Sequence, residues 1–355
     1  MESYMTRTHR LATAIAVAIA LFLACLAPAT ATAQPITVKM ATLVPEGSSW
    51  HLILKEVGDK WNKISGGKVR VIIYPSGTQG DDPDVVRKIR LGTLNAGVLT
   101  SVGLAEVDRA VYAVSIPMAF ADYDEVYYVH EKMRAKIEAT MEAKGFVMLN
   151  WADGGWLRFF TQKPVATPND LKTLKMFQWA GDTPTLEIWK AAGFNPVPLP
   201  ATELATGLQT GLVQAFAASP QVAVITRYFE NAKNMTDIKW ALLLAGTVIS
   251  KATWDRIPAD LRPALLQVAR EAGARLRSEI RASDETDVLA MKKRGLNVVA
   301  VDAKNRELWR ATAEGAYGKV RGGFAPADAF DEALRYRDEY RKQHAAGKAP
   351  APAAK

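Results

Sequence analysis

The sequence predicts an α/β protein built from two lobes, each with its own sheet. The chain has 355 residues, which is too long for one small core and suits two α/β domains. Strand and helix patterns alternate over residues 36–100 and again over residues 146–218. A helical pattern then runs from Pro258 to Lys293. Such alternation predicts parallel sheets with right-handed crossovers, and its repetition indicates two of them.

The first 33 residues have the three parts of a secretory signal peptide. A short basic region at residues 7–10 precedes an uncharged apolar run at residues 11–26, and small residues follow at 31–33. We therefore expect residues 1–33 to be removed on export to the periplasm. A membrane anchor is the alternative, but the run is shorter than the roughly 20 residues that a spanning helix needs. Lipid attachment at Cys25 is a second alternative, which the bulky phenylalanine three residues earlier disfavours.

Composition excludes two further classes of protein. Cys25 is the only cysteine, so the mature chain is predicted to have no disulfide and no thiol chemistry. The net charge of +8 could suggest nucleic-acid binding, but Lys and Arg are interspersed with Asp and Glu. We interpret these residues as solvated faces of helices.

Each element of the first run has a local signal. Alternating or β-branched residues predict strands at residues 36–42, 69–74 and 96–100. Ser48 is the predicted cap of a first helix, and a short second helix is predicted over residues 84–91. This β-α-β-α-β order predicts the first parallel sheet.

The second run repeats the pattern and leads into the long helix. Extended segments are predicted at residues 146–151, 157–161, 174–179, 196–199 and 215–218, with helices at 183–192 and 203–210. At 1.5 Å per residue, a helix over residues 258–293 is about 54 Å long. That exceeds one small domain, so we expect the helix to brace both lobes. We predict lobe I at 34–153 plus about 241–282, lobe II at 154–240 plus about 283–340, and a flexible tail at 341–355.

Motifs for catalysis or metal binding are missing from the sequence. It has no nucleophile elbow, no Walker loop, no dinucleotide-binding glycine motif and no Cys pair. His51, His130 and His344 lie far apart, without the spacing of metal ligands. The acidic residues at 81–84 could suggest calcium, but an Asp-rich helix start is the better interpretation. We therefore expect no catalysis, no metal and no cofactor; an exported α/β enzyme and an adhesion module are the rival hypotheses.

Aromatic residues follow several of the predicted strands. Phe177 and Trp179 end one strand, Trp151 ends another, and Phe216 lies in a third. In open α/β sheets, ligands bind outside the carboxyl ends of strands. The alternative is that most of these rings belong to the cores. Several rings together predict a small-molecule cleft between the lobes.

Short motifs along the mature chain resemble the extracytoplasmic receptors of TRAP transporters, of the dicarboxylate-receptor type. The matching runs lie at residues 74–77 (YPSG), 90–94 (RLGTL), 116–117 with 120–123, 168–175 (PNDLKTLK), 196–198 with 208–211, and 248–251 with 254. The resemblance implies a two-lobed periplasmic-binding-protein fold of type II, with hinge strands and a long bracing helix. It also implies delivery of the captured solute to a sodium-driven membrane permease.

The sequence departs from that family at the residues that bind carboxylates. The family's Leu-Lys is usually followed by Ile-Arg, whose arginine pairs with a substrate carboxylate, but Phe177 stands at that position. A second frequent arginine falls at or one residue from Leu157, with Arg158 as its neighbour. A ring cannot replace a guanidinium fork. The segment resembles a subfamily whose receptors have apolar clefts and work with a tetratricopeptide-repeat partner.

The sequence therefore predicts a periplasmic receptor that binds a small apolar or aromatic solute between two lobes. The candidate ligand-binding residues are Trp50, Thr100, Ser101, Trp151, Arg158, Phe160, Phe177, Gln178, Trp179, Phe216, Ser219 and Trp240. The alternative within the class is a conventional organic-acid receptor that uses Arg158 as its anchor. The expected partners are the solute, the subunits of the membrane permease and a tetratricopeptide-repeat periplasmic protein.

Overall fold

The computed structural model describes residues 34–345 of the chain. The signal peptide that we predicted at residues 1–33, and the alternative of lipid attachment at Cys25, lie outside the described residues, as do residues 346–355. The last helix reaches Ala345, which is past the position where we expected the tail to begin. Over residues 34–345, none of the helices is both long and apolar enough to cross a membrane.

The strands of the described chain form two sheets. They are β1 (Ile36–Thr42), β2 (Val69–Tyr74), β3 (Ala96–Thr100), β4 (Phe146–Trp156), β5 (Arg158–Thr161), β6 (Lys175–Trp179), β7 (Asn195–Leu199), β8 (Ala215–Ala218), β9 (Asn234–Thr236), β10 (Leu242–Ser250) and β11 (Asn297–Val299). The sheet of lobe I has the order β2-β1-β3-β10-β4, and that of lobe II has the order β11-β9-β5-β8-β6-β7. The two α/β sheets predicted from the sequence are thus confirmed.

Helices cover the faces of both sheets. They are α1 (Ser49–Ile64), α2 (Asp82–Arg90), α3 (Ser101–Ala105), α4 (Tyr123–Ala143), α5 (Pro168–Lys172), α6 (Thr183–Ala191), α7 (Leu204–Thr210), α8 (Pro220–Thr226), α9 (Lys251–Arg256), α10 (Arg262–Lys293), α11 (Ala303–Gly315), α12 (Tyr317–Lys319) and α13 (Ala327–Ala345). Ser48 caps α1 as predicted, because its side chain accepts a hydrogen bond from the backbone N–H of His51.

The first three strands have the predicted bounds, but the prediction of purely parallel sheets is wrong. β1 pairs parallel with β2 and β3, whereas β10 lies antiparallel between β3 and β4. We had assigned no strand to the apolar run of β10. Its insertion brings a segment that follows lobe II in sequence back into the sheet of lobe I. β4 and β10 therefore both connect the two sheets.

The long helix is confirmed as a brace, although it begins later than predicted. α10 begins at Arg262, so that Pro258 lies in the turn after α9, and its 32 residues give a length of about 48 Å. It packs against β4 and α1 in lobe I and against α8 in lobe II. One rigid element therefore contacts both lobes.

Both lobes bury apolar side chains on the two faces of their sheets. In lobe II the neighbours Phe159 and Phe160 are both fully buried, and they belong to separate clusters. Phe159 stacks on Trp309 of α11 with ring centroids 5.1 Å apart, and Phe160 stacks on Phe216 of β8 at 5.2 Å. Successive residues of a strand point to opposite faces, which explains this division.

Candidate functional site

A cavity of about 410 Å³ lies between the two sheets. Lobe I contributes the ends of β1 and β3, the start of α1 and the middle of β4, through residues such as Thr42, Thr100 and Ala152. Lobe II contributes the ends of β6 and β8 together with α6 and α8. The site thus lies at the carboxyl ends of strands, as expected for α/β sheets.

Most of the predicted cleft residues line this cavity. They are Trp50, Thr100, Ser101, Phe177, Gln178, Trp179, Phe216 and Trp240. Phe177 and Trp179 meet edge to face, with centroids 5.9 Å apart. The side chain of Phe177 is only 7% exposed. The structure therefore brings aromatic faces from α1, β6 and β8 to one cavity.

Sequence reasoning missed one wall of the cavity. Thr185, Ile188 and Trp189 of α6 line the cavity together with Ala192, the residue just after the helix, and Trp189 stacks on Trp240 at 5.5 Å. Their spacing of three and four residues is the pattern of one helix face. That periodicity was a usable signal, which we had applied only to predict the helix itself.

The polar residues of the cavity differ in whether their side chains already form hydrogen bonds within the protein. The Thr100 hydroxyl donates to Asp82 Oδ2 at 2.7 Å and also caps α3 by accepting from Val102. Ser101 and Gln178 are each 5% exposed. These two side chains, one from each lobe, are the predicted residues that remain suited to fix a ligand's orientation.

The charges at the cavity are negative. Among the described residues that line it there is no Lys, Arg or His, but there are two carboxylates, Asp153 and Asp182. Asp153 accepts hydrogen bonds from the Tyr127 hydroxyl at 2.5 Å and from the backbone N–H of Gly155 at 3.2 Å. Burial raises the pKa of Asp153, which makes its charged form less favourable. The cavity therefore has no cation to receive an anionic ligand.

Arg158 does not line the cavity, which corrects its place among the predicted site residues. It lies at the start of β5, and its guanidinium donates to both oxygens of Asp284 on α10, at 2.7 and 3.3 Å. The side chains are only 8% and 16% exposed. Its neighbour Leu157 lines the cavity instead. A shift of one residue along an extended segment moves a side chain to the opposite face.

Three other predicted residues also lie away from the cavity. Trp151 faces α4, where its indole N–H donates to Glu138 at 2.7 Å. Phe160 lies behind Phe216 in the core of lobe II. Ser219 is 1% exposed and caps α8 by accepting from the backbone N–H of Val222. Strand alternation explains the first two differences and helix capping the third.

Comparison with protein families gives one match. The model of "Bacterial extracellular solute-binding protein, family 7" (DctP) matches residues 40–321, which is more than half of the chain. Among curated relatives, the 2,3-diketo-L-gulonate-binding periplasmic protein YiaO of Escherichia coli K12 is 26% identical over 291 residues, covering 80% of this chain and 87% of its own. The C4-dicarboxylate-binding periplasmic protein DctP of Rhodobacter capsulatus is 27% identical over 307 residues, covering 85% and 91%.

Solved structures share the fold. The sugar acid binding protein DctPAm of Advenella mimigardefordensis, in complex with galactonate, superposes with a TM-score of 0.80 at 18% identity, covering 86% of this chain and 99% of that one. A TRAP periplasmic solute-binding protein of Ralstonia eutropha H16, with bound (S)-2-acetolactate, gives a TM-score of 0.79 at 20% identity, covering 85% and 99%.

Proposed function

The chain belongs to family 7 of the bacterial extracellular solute-binding proteins, and we propose that it captures an apolar or aromatic solute that carries no carboxylate. Members of this family are periplasmic receptors of TRAP transporters rather than enzymes. The finer assignment concerns the ligand, and it depends on the walls of the cavity.

One observation carries the proposal. The sequence resemblance places carboxylate-binding arginines at Phe177 and at or one residue from Leu157, and both Phe177 and Leu157 line the cavity. Arg158, the nearest cation in sequence to the first position, is held by Asp284. The lining supplies apolar faces where an acid receptor needs a guanidinium fork.

Energetics favour a ligand without a negative charge. Burying a carboxylate without a partner costs several kcal/mol, and none of the described residues that line the cavity is a Lys, Arg or His that could offset this cost. Apolar surface, in contrast, is stabilised by about 25 cal/mol for each Å² that leaves water. An aromatic ring gains about 1 kcal/mol more when it stacks on another ring. The cavity volume of about 410 Å³ suits a small molecule of this kind.

A conventional organic-acid receptor is the second candidate. The relatives support it, because the proteins of Escherichia coli and Rhodobacter capsulatus are named for binding a keto-sugar acid and C4-dicarboxylates. On that alternative Arg158 would have to leave Asp284 and turn toward the ligand. The bidentate geometry of the existing pair argues against it.

The test uses N-phenyl-1-naphthylamine, a neutral aromatic fluorophore, as the probe. We expect its fluorescence to rise on binding, with no displacement by succinate or galacturonate at about 1 mM, a concentration that a micromolar acid receptor would register fully. Native mass spectrometry of freshly purified protein would identify a co-purifying solute. Displacement of the probe by either acid, or a co-purified carboxylate, would establish the second candidate instead.

The remaining parts of the assignment complete the proposal. We propose that residues 1–33 are cleaved on export and that the chain passes from one lobe to the other near residues 153, 240 and 282. We also propose that the loaded receptor docks on the membrane subunits of a TRAP permease. The partnership with a tetratricopeptide-repeat protein stays a prediction. The mass of the protein recovered from the periplasm tests the first point, since cleavage after Ala33 leaves a chain beginning at Gln34.

A further inference from the structure

A hydrogen bond joins the two lobes at the rim of the cavity. The carboxylate of Asp81, the residue before α2 in lobe I, accepts from the backbone N–H of Ala201 at 2.7 Å. Ala201 follows β7 in lobe II and lines the cavity, 120 residues further along the chain. Asp81 is only 5% exposed. The two lobes are therefore in direct polar contact here.

A second such bond lies elsewhere on the cavity wall. The hydroxyl of Tyr112, in a helical turn at Arg109–Val114 of lobe I, donates to Oδ2 of Asp182 at 3.1 Å. Asp182 also caps α6 of lobe II through the backbone N–H of Thr185. The Tyr112 ring is stacked on Phe324 with centroids 4.0 Å apart, which fixes the direction of its hydroxyl.

Neither bond needs a ligand. A receptor for a charged solute can use the ligand's charge to join its lobes, because donors on one lobe and donors on the other meet on the same anion. An apolar solute offers burial but no such bridge. We propose that Asp81 and Tyr112 are positioning residues for closure, and that they hold the lobes together through Ala201 and Asp182. The inference deepens the proposed function, but its geometry stands without it.

Asp81 has two roles, as the cap of α2 and as the contact with lobe II, and a substitution can separate them. Its Oδ1 accepts from the backbone N–H of Asp82 at the start of α2, and its Oδ2 accepts from Ala201. Serine also caps helices, but its one short hydroxyl does not reach across the cleft. Asp81→Ser therefore keeps a helix cap and removes the contact between lobes. Tyr112→Phe removes one hydroxyl and keeps the stacked ring.

The experiment measures the distance between lobes without ligand. Spin labels are placed on Lys60→Cys in α1 and Lys304→Cys in α11, both exposed and in different lobes, in a Cys25→Ser background. Double electron–electron resonance then gives the ratio of closed to open protein. Because a hydrogen bond contributes a net 0.5–1.5 kcal/mol, each substitution should lower that ratio by about two- to tenfold. The double variant should lower it by the product of the two.

Controls separate closure from folding. Asp84→Ser alters a nearby aspartate, within α2, whose side chain is 48% exposed and pairs with Arg87 of the same helix, and it should leave the ratio unchanged. Because Asp81 is buried, circular dichroism and a cooperative thermal transition first establish that the Asp81→Ser protein is folded before its ratio is compared. With N-phenyl-1-naphthylamine present, dissociation of the probe should be faster in Asp81→Ser.

The outcomes are distinguishable from those of the proposed function. A wild-type protein without any closed population in the absence of ligand would overturn the closure role, as would an Asp81→Ser ratio equal to that of Asp84→Ser. If the fluorophore fails to bind while the ligand-free ratio falls as expected, the closure role stands and the apolar-ligand proposal fails.

Discussion

Replacing Arg158 with methionine decides whether this arginine is an ion-pair partner of the bracing helix or the anchor for a ligand. In the structure its guanidinium makes a bidentate pair with Asp284 of α10, and no part of it lines the cavity. Arg158→Met keeps the long apolar stem and removes the charge. Asp284, whose side chain is 16% exposed in the wild-type protein, would then lose its partner.

The size of the effect follows from that burial. Removing one partner of a fully buried pair costs about 3–5 kcal/mol, because the other charge stays buried and uncompensated. Since Asp284 keeps some contact with solvent, we expect a loss of about 2–3 kcal/mol in the free energy of unfolding for Arg158→Met. Asp284→Leu should cost at least as much, because Arg158 is the more buried of the two. The double variant should cost less than either single change.

Urea unfolding followed by tryptophan fluorescence measures these free energies. The double-mutant cycle should give a coupling of about 2 kcal/mol or more between the two residues. The affinity for N-phenyl-1-naphthylamine should change less than threefold in the folded Arg158→Met protein, since the side chain does not face the ligand. Additive single effects below about 0.5 kcal/mol, or loss of probe binding with unchanged stability, would refute the reasoning and restore Arg158 as an anchor.

Three further predictions concern the cavity wall, the hinge and pH. Phe177→Ala should weaken binding of the fluorophore by about 1–3 kcal/mol in titrations, whereas Lys175→Ala, exposed on the same strand, should leave it unchanged. Gly155→Ala should cost more stability than Gly145→Ala, measured by urea unfolding: both have positive φ (89° and 87°), but a Cβ at 155 meets Ser219 at 3.1 Å and one at 145 meets nothing. Burial raises the pKa of Asp82 from 3.8 to about 7. Because the folded protein then holds a proton that the unfolded chain has released, stability should fall as pH rises from about 4 to 7, and Asp82→Asn should flatten that fall; an unchanged pH profile in the variant would contradict the assignment.

The parallel core of lobe I could be predicted from sequence, and the antiparallel strand in it could not. β1, β2 and β3 alternate or are β-branched, and Pro45 and Pro75 follow the first two, so local signals define them. β10 is a continuous apolar run, and its sequence carries no period that distinguishes a buried strand from a buried helix. Its place between β3 and β4 depends on contacts with residues about 100 and 150 positions earlier.

In the site, too, some side chains could be placed from local sequence signals and others could not. Residues at strand ends, such as Phe177 and Trp179, were predicted because strand ends meet at one edge of a sheet. Trp151 and Phe160 lie away from the cavity. The face that a strand residue takes depends on the register, which the sequence alone does not give. Ser219 also lies away from the cavity, because its hydroxyl accepts a hydrogen bond as the cap of α8. The types of residue near the strand ends indicate what a site can bind, whereas the strand register determines which of their side chains face the cavity.

That dependence on register bears directly on ligand class. Arg158 stands one residue from Leu157, yet the first is paired with α10 and the second lines the cavity. A single step along the chain therefore separates an apolar wall from a guanidinium that could hold a carboxylate. The other arginine position of the family is filled by Phe177, which lies on β6 in the same lobe. Leu157 and Phe177 thus both present apolar side chains to the cavity, while Arg158 stays paired with Asp284.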